Sequence, residues 1–419
     1  MAALSAARAK TAQRALIVMF FVQGFSATTF VPRIPELIEQ LNVNFVTWGT
    51  VIGLSGLGSL LPLIFTNQLV ARLGTRPVIR VAAAFIALMV IAIPWATNIW
   101  VFFALQAVQT MAFSAYNIAI NAASVMLQKK MKRTIVGTMH AGWSIGAALS
   151  AAVSGVLLSL LPFKMHMGLT GFILLLAFQF AGRALLEPAE DGHASEVARQ
   201  QKVSWLKTPM FVWVLTAGLF SGVWPEVVMI DWSALFSKSV MNLNPTLSAV
   251  PYTVFTVAMI IGRLSINRIT KKFHISDMAK WGGIIGSILI FAGIFFGPLI
   301  AKTNSTLGLL VLCVLWGVAG LGVGPQVPSV FTAGGNVMGL TTAQALSRMS
   351  MINMFLMLGA KFVMGALAQQ NLQAAFLFPA TTLMIAGIIA GFVVKRAKRN
   401  EKEMLSAFPP TAPIVVVED

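Results

Sequence analysis

The sequence predicts an all-α polytopic membrane protein whose twelve transmembrane helices form two pseudo-symmetric bundles of six. Apolar runs recur along the whole chain, each about as long as the roughly 20 residues that a helix needs to cross a hydrocarbon core. Charged residues make up only 10% of the 419 residues, whereas hydrophobic residues make up 57%. A water-soluble chain of this length would carry far more charge, so the composition excludes an ordinary soluble domain.

In the N-terminal half, a basic and polar start precedes the first apolar run. That run is too long for a signal peptide and lacks a clear cleavage site, so it is predicted to be an uncleaved first span. A basic loop at 72–76 follows the second run, and a group of Lys and Arg at 129–133 follows the fourth. The predicted spans of this half are 15–37, 46–68, 78–96, 101–127, 135–161 and 166–186.

The C-terminal half begins after the longest internal connection, which is polar, charged and contains proline. The spans predicted for this half are 209–236, 246–267, 278–300, 305–331, 341–368 and 372–394. We therefore expect four segments: an N-terminal bundle at 1–186, a cytoplasmic linker at 187–208, a C-terminal bundle at 209–394 and a cytoplasmic tail at 395–419.

The formal net charge of +17 is distributed unevenly between alternate loops. If the chain starts in the cytoplasm, most of the 30 Lys and Arg residues lie on the cytoplasmic side, and only Lys164, Lys238 and Lys302 fall outside. Such a bias orients membrane proteins, so both termini are expected in the cytoplasm beneath a plasma or inner membrane. Anionic lipid is then the partner of the basic charge, and a nucleic-acid role is disfavoured because no soluble basic domain is present.

The two halves repeat one pattern. The second span runs into a basic loop at 72–76, and the eighth span runs into another at 267–272. Two six-helix bundles with a site between them are a recurrent plan among transporters. Charge, spacing and span count therefore agree on an internal repeat.

These features resemble the major facilitator superfamily over nearly the whole chain. The signature of that superfamily after span 2, Gly-x-x-x-Asp-Arg-x-Gly-x-Arg, is kept here at Arg72, Gly74 and Arg76, whereas Ala71 replaces the Asp. The resemblance implies that this loop gates the cytoplasmic side through Arg72 and Arg76, with Arg268 in the second, degenerate copy. The carboxylate that latches this gate in the superfamily is therefore missing at position 71.

Within the superfamily, the chain is more similar to a bacterial subgroup that includes YbjJ and, more distantly, the fucose permease. The strings that carry this similarity are RIP at 33–35, NIAIN at 117–121, HAGWSIG at 140–146 and DWSA at 231–234. Asn117 stands where the pattern has an acid, and its amide cannot carry a coupling proton. The resemblance implies a secondary active transporter that moves a small polar solute, sugar-like or another organic metabolite, by alternating access.

Charged side chains inside the spans are the strongest candidates for function, since each costs at least about 2.5–3.5 kcal/mol at the bilayer centre. Glu226 follows Pro225, which removes a backbone hydrogen bond, and is predicted to bind solute and carry the coupling proton. Asp231 points about 140° away on a regular helix, and we expect it to titrate and to pair with Arg33 as an outer gate. Lys361 is expected to bind solute or to pair with Glu226. The alternative for each is a structural ion pair.

Uncharged polar residues supply further candidates. Asn117 and Asn121 are four residues apart and present two amides on one face of span 4, where they can bind hydroxyl-rich solutes or bridge helices. His140 is a further coupling candidate because histidine titrates near physiological pH, although it can equally serve as a structural hydrogen-bonding group. Arg263 lies close enough to the cytoplasm to snorkel. The remaining solute-binding candidates are Gln23, Trp143, Gln326 and Asn353.

Other functional classes lack their motifs. The single cysteine, Cys313, excludes an internal disulfide, and no nucleotide-binding GxxxxGK[ST] string or Cys/His metal cluster occurs. We therefore expect no enzyme activity, metal or cofactor, and a monomer that is driven by an ion gradient, with proton symport first. One alternative is a drug or metabolite exporter, although span 5 lacks the Gly-Pro motif common in exporters. The alternative from another class is a transporter-like sensor or a membrane enzyme.

Overall fold

The computed structural model describes residues 5–131, 135–191, 208–270, 272–334, 337 and 342–407, and its regular structure in these ranges is entirely helical. Twelve segments are long and apolar enough to cross a membrane, which confirms the predicted fold class. Spans 1 to 12 are, in chain order, Ala6–Leu41, Phe45–Leu73, Thr75–Trp95, Ile99–Met131, Thr138–Leu160, Phe163–Arg183, Met210–Met241, Pro245–Ile266, Ile275–Ala301, Ser305–Gly334, Arg348–Gln370 and Leu372–Val393.

Because the number of spans is even, span 1 begins and span 12 ends on the same side of the protein, here named the terminal face. The opposite side is named the distal face. On the distal face, Asn42 and Asn242 end spans 1 and 7 in the left-handed conformation, which asparagine tolerates better than most residues. Asn44 and Asn244 then cap the next helices through their side chains. The two turns are therefore built alike.

Three spans are interrupted away from their ends, whereas spans 8 and 12 each begin with a separate helical turn, Pro245–Ser248 and Leu372–Ala375. Span 1 passes through a 3₁₀ turn at Val31–Arg33, span 2 through one at Gly56–Ser59, and span 10 is divided where Gly324 and Pro325 separate two helices. Span 7 is one helix, Met210–Met241, in spite of its internal proline. The helical segments of the interrupted spans are Ala6–Thr28 and Ile34–Leu41, Phe45–Ser55 and Leu60–Leu73, and Ser305–Val323 and Gln326–Gly334.

The most extensive packing joins spans 1 and 5, spans 9 and 10, and spans 9 and 12. Glycine allows the closest of these approaches: a Cβ at Gly24 would collide with the carbonyl of Trp143, and one at Gly146 with the carbonyl of Phe21. Spans 1 and 5 therefore lie backbone to backbone. Contacts between the first six spans and the last six are made mainly by span 2 with span 11 and by span 5 with span 8.

The distal face is closed where spans 2 and 11 meet. A Cβ at Gly49 would lie 2.7 Å from the Cα of Gly365, so these two helices touch through their backbones. The amide of Phe45 donates to Oε1 of Gln369 across the same contact, at 2.9 Å. Nearby, the ammonium of Lys238 on span 7 forms an ion pair with Glu39 of span 1.

We expect Gly49→Val to force spans 2 and 11 apart, because overpacking a tight contact costs about 1–3 kcal/mol. Spin labels at Thr47 and Gln370, placed on a Cys313→Ser background, should report a longer distance between the distal ends of the two spans. Gly359→Val on span 11 is the control, since a Cβ at Gly359 would meet no atom within 4 Å. An unchanged distance in Gly49→Val would contradict the expectation.

Candidate functional site

One cavity in the described part of the chain, named here the large cavity, has a volume of about 680 Å³, within the range typical of small-molecule sites. Its walls come from spans 1, 2, 3, 4, 7 and 11, and most of them are apolar or aromatic. Few polar side chains therefore reach the cavity. They belong to Ser59, Gln106, Gln109, Thr110, Ser114, Asn117, Asp231 and Lys361.

Span 4 presents its polar side chains along one face, since they recur every three or four residues. Two of them hold the interruption in span 2. The hydroxyl of Thr110 donates to the carbonyl of Ser55 at 2.6 Å, and that of Ser114 donates to the carbonyl of Ser59 at 2.8 Å. An interrupted helix inside a membrane needs such partners for its freed backbone groups. Span 4 therefore both lines the cavity and stabilises the interruption.

The structure brings two of the predicted amides together. Nε2 of Gln23 donates to Oδ1 of Asn117 at 2.7 Å, and the exposed side chain of Asn117 lines the cavity. Nδ2 of Asn121 instead donates back to the backbone carbonyl of Asn117 at 2.8 Å. Asn121 is absent from the cavity wall, and its amide is held by its own helix. The two asparagines thus do not act as one pair of ligands.

Asp231 pairs with Lys361 across spans 7 and 11, where the ammonium lies 2.8 Å from Oδ2. The contact is an ion pair. Oδ2 of Asp231 is buried and accepts no hydrogen bond of acceptable angle from any described residue. Both side chains line the cavity, and they are 16% and 24% exposed. The expected pairing of Asp231 with Arg33 is therefore wrong, and so is that of Lys361 with Glu226.

Arg33 is directed away from Asp231 by the proline-containing turn in which it lies. Its side chain is 3% exposed and reaches spans 5 and 6, where Nη2 donates to the carbonyl of Leu161 at 2.6 Å and Nε donates to Nδ1 of His166 at 3.2 Å. Nη1 pairs with Oε2 of Glu36 at 2.7 Å. Arg33 therefore joins elements of the N-terminal half.

Glu226 forms a second intramembrane ion pair, with Nη2 of Arg263 on span 8 at 2.7 Å from its Oε2. Arg263 therefore turns inward and does not snorkel. The pair lies with Trp143 and Tyr252 around a separate space of about 10 Å³, which holds one water at most. His140 packs edge-on against Phe20 and makes no hydrogen bond to either acid in the part of the chain that the structure describes. The two acids of span 7 thus face different spaces, as their spacing predicts.

The other candidates lie outside both spaces. Nε2 of Gln326 donates to the carbonyls of Ala279 at 2.7 Å and Gly322 at 3.0 Å, which makes it a link between spans 9 and 10. Oδ1 of Asn353 is buried without a partner among the described residues, away from the large cavity. The predicted roles of these two residues in solute binding stay predictions.

The predicted gating arginines lie at the terminal face. Arg76 pairs with Glu187 at 3.0 Å, and the side chain of Arg72 is exposed. The side chain of Arg268 lies outside the described residues. No residue of the loop replaces the carboxylate that the motif lacks at position 71. The acid that contacts the loop is Glu187, which follows span 6.

Sequence reasoning missed a group of acids just after span 6. Nη2 of Arg8 pairs with Glu190 at 2.7 Å, and Asp191 accepts from the amide and hydroxyl of Thr75 at 2.8 and 3.0 Å. The hydrogen bond from Arg8, supported by the amide of Glu187, lowers the pKa of the Glu190 carboxyl below its ordinary value. Three acids within five residues beside basic loops were the available signal. These contacts fasten the start of span 1 and the loop after span 2 to the end of span 6.

Comparison with known proteins gives a consistent result. The sequence profile of the Major Facilitator Superfamily matches residues 16–355. An uncharacterised MFS-type transporter of Yersinia pestis is 26% identical over 372 residues, which cover 85% of this chain and 89% of that protein. An uncharacterised transporter of Sinorhizobium fredii is 25% identical over 372 residues, covering 86% and 92%. The crystal structure of the nucleoside transporter NupG superposes with a TM-score of 0.68 at 16% identity, covering 93% of this chain and 99% of that one, which shows a shared fold.

Proposed function

This chain belongs to the Major Facilitator Superfamily, and we propose that it carries a small, polar, uncharged solute across the membrane together with a proton. It is a secondary transporter and not an enzyme. The observation that carries the proposal is the large cavity, whose two charged groups neutralise each other.

The cavity favours an uncharged solute. Asp231 and Lys361 are the charged residues in its wall, and they lie 2.8 Å apart. An anion or a cation would have to displace one member of the pair and leave the other without a partner in a poorly solvated place. Asn117 can bind hydroxyl or amide groups of a solute without that cost. A sugar-like compound or another uncharged metabolite meets these conditions.

Alternating access is supported by the contacts at the distal face. The backbones of Gly49 and Gly365 meet on that side, and on this ground we propose that solute enters and leaves the cavity from the terminal face in this conformation. We propose that the bundles at 1–186 and 209–394 rock against each other to reverse this access. The positive-inside distribution supports a cytoplasmic position for the terminal face and both termini, beneath a plasma or inner membrane. Lipid and proton are the further partners, and the monomer is the working unit.

Glu226 is our first choice for the coupling proton. Its ion pair with Arg263 lies in a space too small for bulk water, between spans 5, 7 and 8. Protonation of Glu226 would remove the charge that holds Arg263, and span 7 would then be free to shift relative to span 8. Asp231 and His140 remain the second candidates. The similarity of the strings at 140–146 and 231–234 to the YbjJ and fucose-permease-like subgroup supports a symporter over an exporter.

Purified protein in proteoliposomes tests the proposal. A thermal-shift screen would first compare uncharged compounds (D-glucose, L-fucose, uridine) with anions such as lactate; uridine is included because the solved structure of NupG, a nucleoside transporter, shares the fold. We expect an uncharged compound to raise the melting temperature and to accumulate when a pH gradient is imposed. Binding only of charged compounds would contradict the solute class. Binding without flux would indicate a sensor, and gradient-driven efflux an exporter.

A further inference from the structure

An aromatic pair forms one end of the large cavity. The indole of Trp48 on span 2 stacks on the ring of Phe102 on span 4, with centroids 5.3 Å apart and planes at 21°. Both residues line the cavity near the distal face, and both are at least 97% buried. Phe30 and Phe113 line the same cavity. The parts of these rings that reach the cavity are apolar, and sugar hydroxyls alone would not use such contacts.

The indole N–H of Trp48 is buried and has no acceptor among the described residues. A donor left in this state costs about 1–3 kcal/mol. Trp224, Trp232 and Trp316 also bury an unpartnered N–H, so the feature alone has no meaning for binding. Of these four tryptophans, Trp48 is the one that lines the large cavity.

Gln109 supplies a complementary group two helical turns away. Its side chain is 6% exposed, lines the cavity, and has a buried Oε1 without a donor among the described residues. Whichever way the amide is turned, a buried polar atom lacks a partner there. Phe102 and Gln109 are seven residues apart on one helix, a rise of about 10 Å. The N–H of Trp48 therefore does not satisfy the amide, and a third molecule can satisfy both.

We propose that Trp48, Phe102 and Gln109 form a subsite for an aromatic or heteroaromatic ring of the solute, with an acceptor directed to Trp48 and a donor to Gln109. The solute is then an uncharged glycoside of such a ring, whose sugar hydroxyls lie towards Asn117, eight residues further along span 4. This inference rests on the proposed function, because it assigns a substrate class to the same cavity. The volume of about 680 Å³ accommodates a ring and a sugar together.

Matched probes test the subsite in the full-length protein. 4-Hydroxyphenyl β-D-glucopyranoside is compared with methyl β-D-glucopyranoside, and uridine with D-ribose, by calorimetry and by uptake into proteoliposomes. We expect at least one ring-bearing member to bind about tenfold or more tightly than its partner without the ring. Equal binding or transport of the ring-free members would overturn the subsite and leave the proposed function standing. Neither binding nor transport of any probe would count against both.

Two substitutions test whether Trp48 and Gln109 bind the ring-bearing probe. Trp48→Phe removes the N–H and keeps a ring on Phe102, and Gln109→Leu removes the amide at similar size. Each should weaken binding of the ring-bearing probe about tenfold, as the loss of one hydrogen bond implies, and leave the ring-free probe unaffected. The melting temperature of the unliganded protein should stay the same or rise, because an unsatisfied buried group has been removed.

Trp224→Phe is the matched control, since it also deletes a buried and unpartnered N–H but lies outside the cavity. It should leave binding of every probe unchanged. If Trp48→Phe and Gln109→Leu lower the melting temperature while binding of the ring-bearing probe is retained, the two residues have a structural role and the subsite is disproved.

Discussion

Lys361→Met should destabilise the protein by roughly 3–5 kcal/mol and abolish transport, because it leaves the Asp231 carboxylate without its partner inside the membrane. Asp231→Asn should have a comparable effect by leaving the ammonium unpaired. The two groups lie 2.8 Å apart and are mostly buried, so solvent screens their attraction weakly. Thermal unfolding of the detergent-solubilised protein measures the stability, and uptake into proteoliposomes measures the transport.

The double variant Asp231→Asn/Lys361→Met separates pairing from any other role of the two residues. Replacement of a whole buried pair is often close to neutral for stability, so most of the lost stability should return. Lys238→Met is the comparison, since its partner Glu39 is 65% exposed and such pairs contribute about 1 kcal/mol or less. Single variants as stable as the native protein would show that Asp231 and Lys361 do not depend on each other.

Glu226→Gln should eliminate solute accumulation driven by a pH gradient while exchange of solute across the membrane continues. One pH unit corresponds to 1.36 kcal/mol, so coupling to one proton supports about tenfold accumulation per unit, which the variant should reduce to none. Glutamine keeps a hydrogen-bonding group near Arg263 but cannot take up a proton. Accumulation and counterflow are measured in the same proteoliposomes.

Glu36→Gln provides the control for this prediction. Glu36 also pairs with a buried arginine, but it does so at the distal face and is 44% exposed. Its replacement should leave the accumulation ratio unchanged. Accumulation by Glu226→Gln at the native level would show that the coupling proton is carried elsewhere, with Asp231 next to be tested.

The twelve spans were predictable because the hydrocarbon thickness sets the length of an apolar run, and that length is visible in the sequence. The sequence also indicated that Glu226 and Asp231 face different surroundings, since helical geometry fixes the angle between positions five residues apart. The 3₁₀ turn at Gly56–Ser59 was not predicted. It depends on hydroxyls of span 4, and no local pattern in span 2 records them.

Ion-pair partners were poorly predicted, for a physical reason. A buried acid requires a base nearby, but the requirement does not say which base, and several lay at similar predicted depths. Asp231 takes Lys361, which is 130 positions away in sequence, whereas Arg33 is turned towards Glu36 by the backbone around it. Trp48 and Gln109 were overlooked because an unsatisfied polar group is a property of packing and not of residue type.

The contact of Gly49 with Gly365 has a thermodynamic consequence. Where two helices meet at glycines, their contact buries little apolar surface. Separation of the helices at this point therefore changes the hydration of apolar groups only slightly. The heat capacities of the closed and open forms should then be similar, and their balance should vary little with temperature. A transporter passes through both forms in every turnover. A contact whose free energy changes little with temperature would let it do so over a wide temperature range.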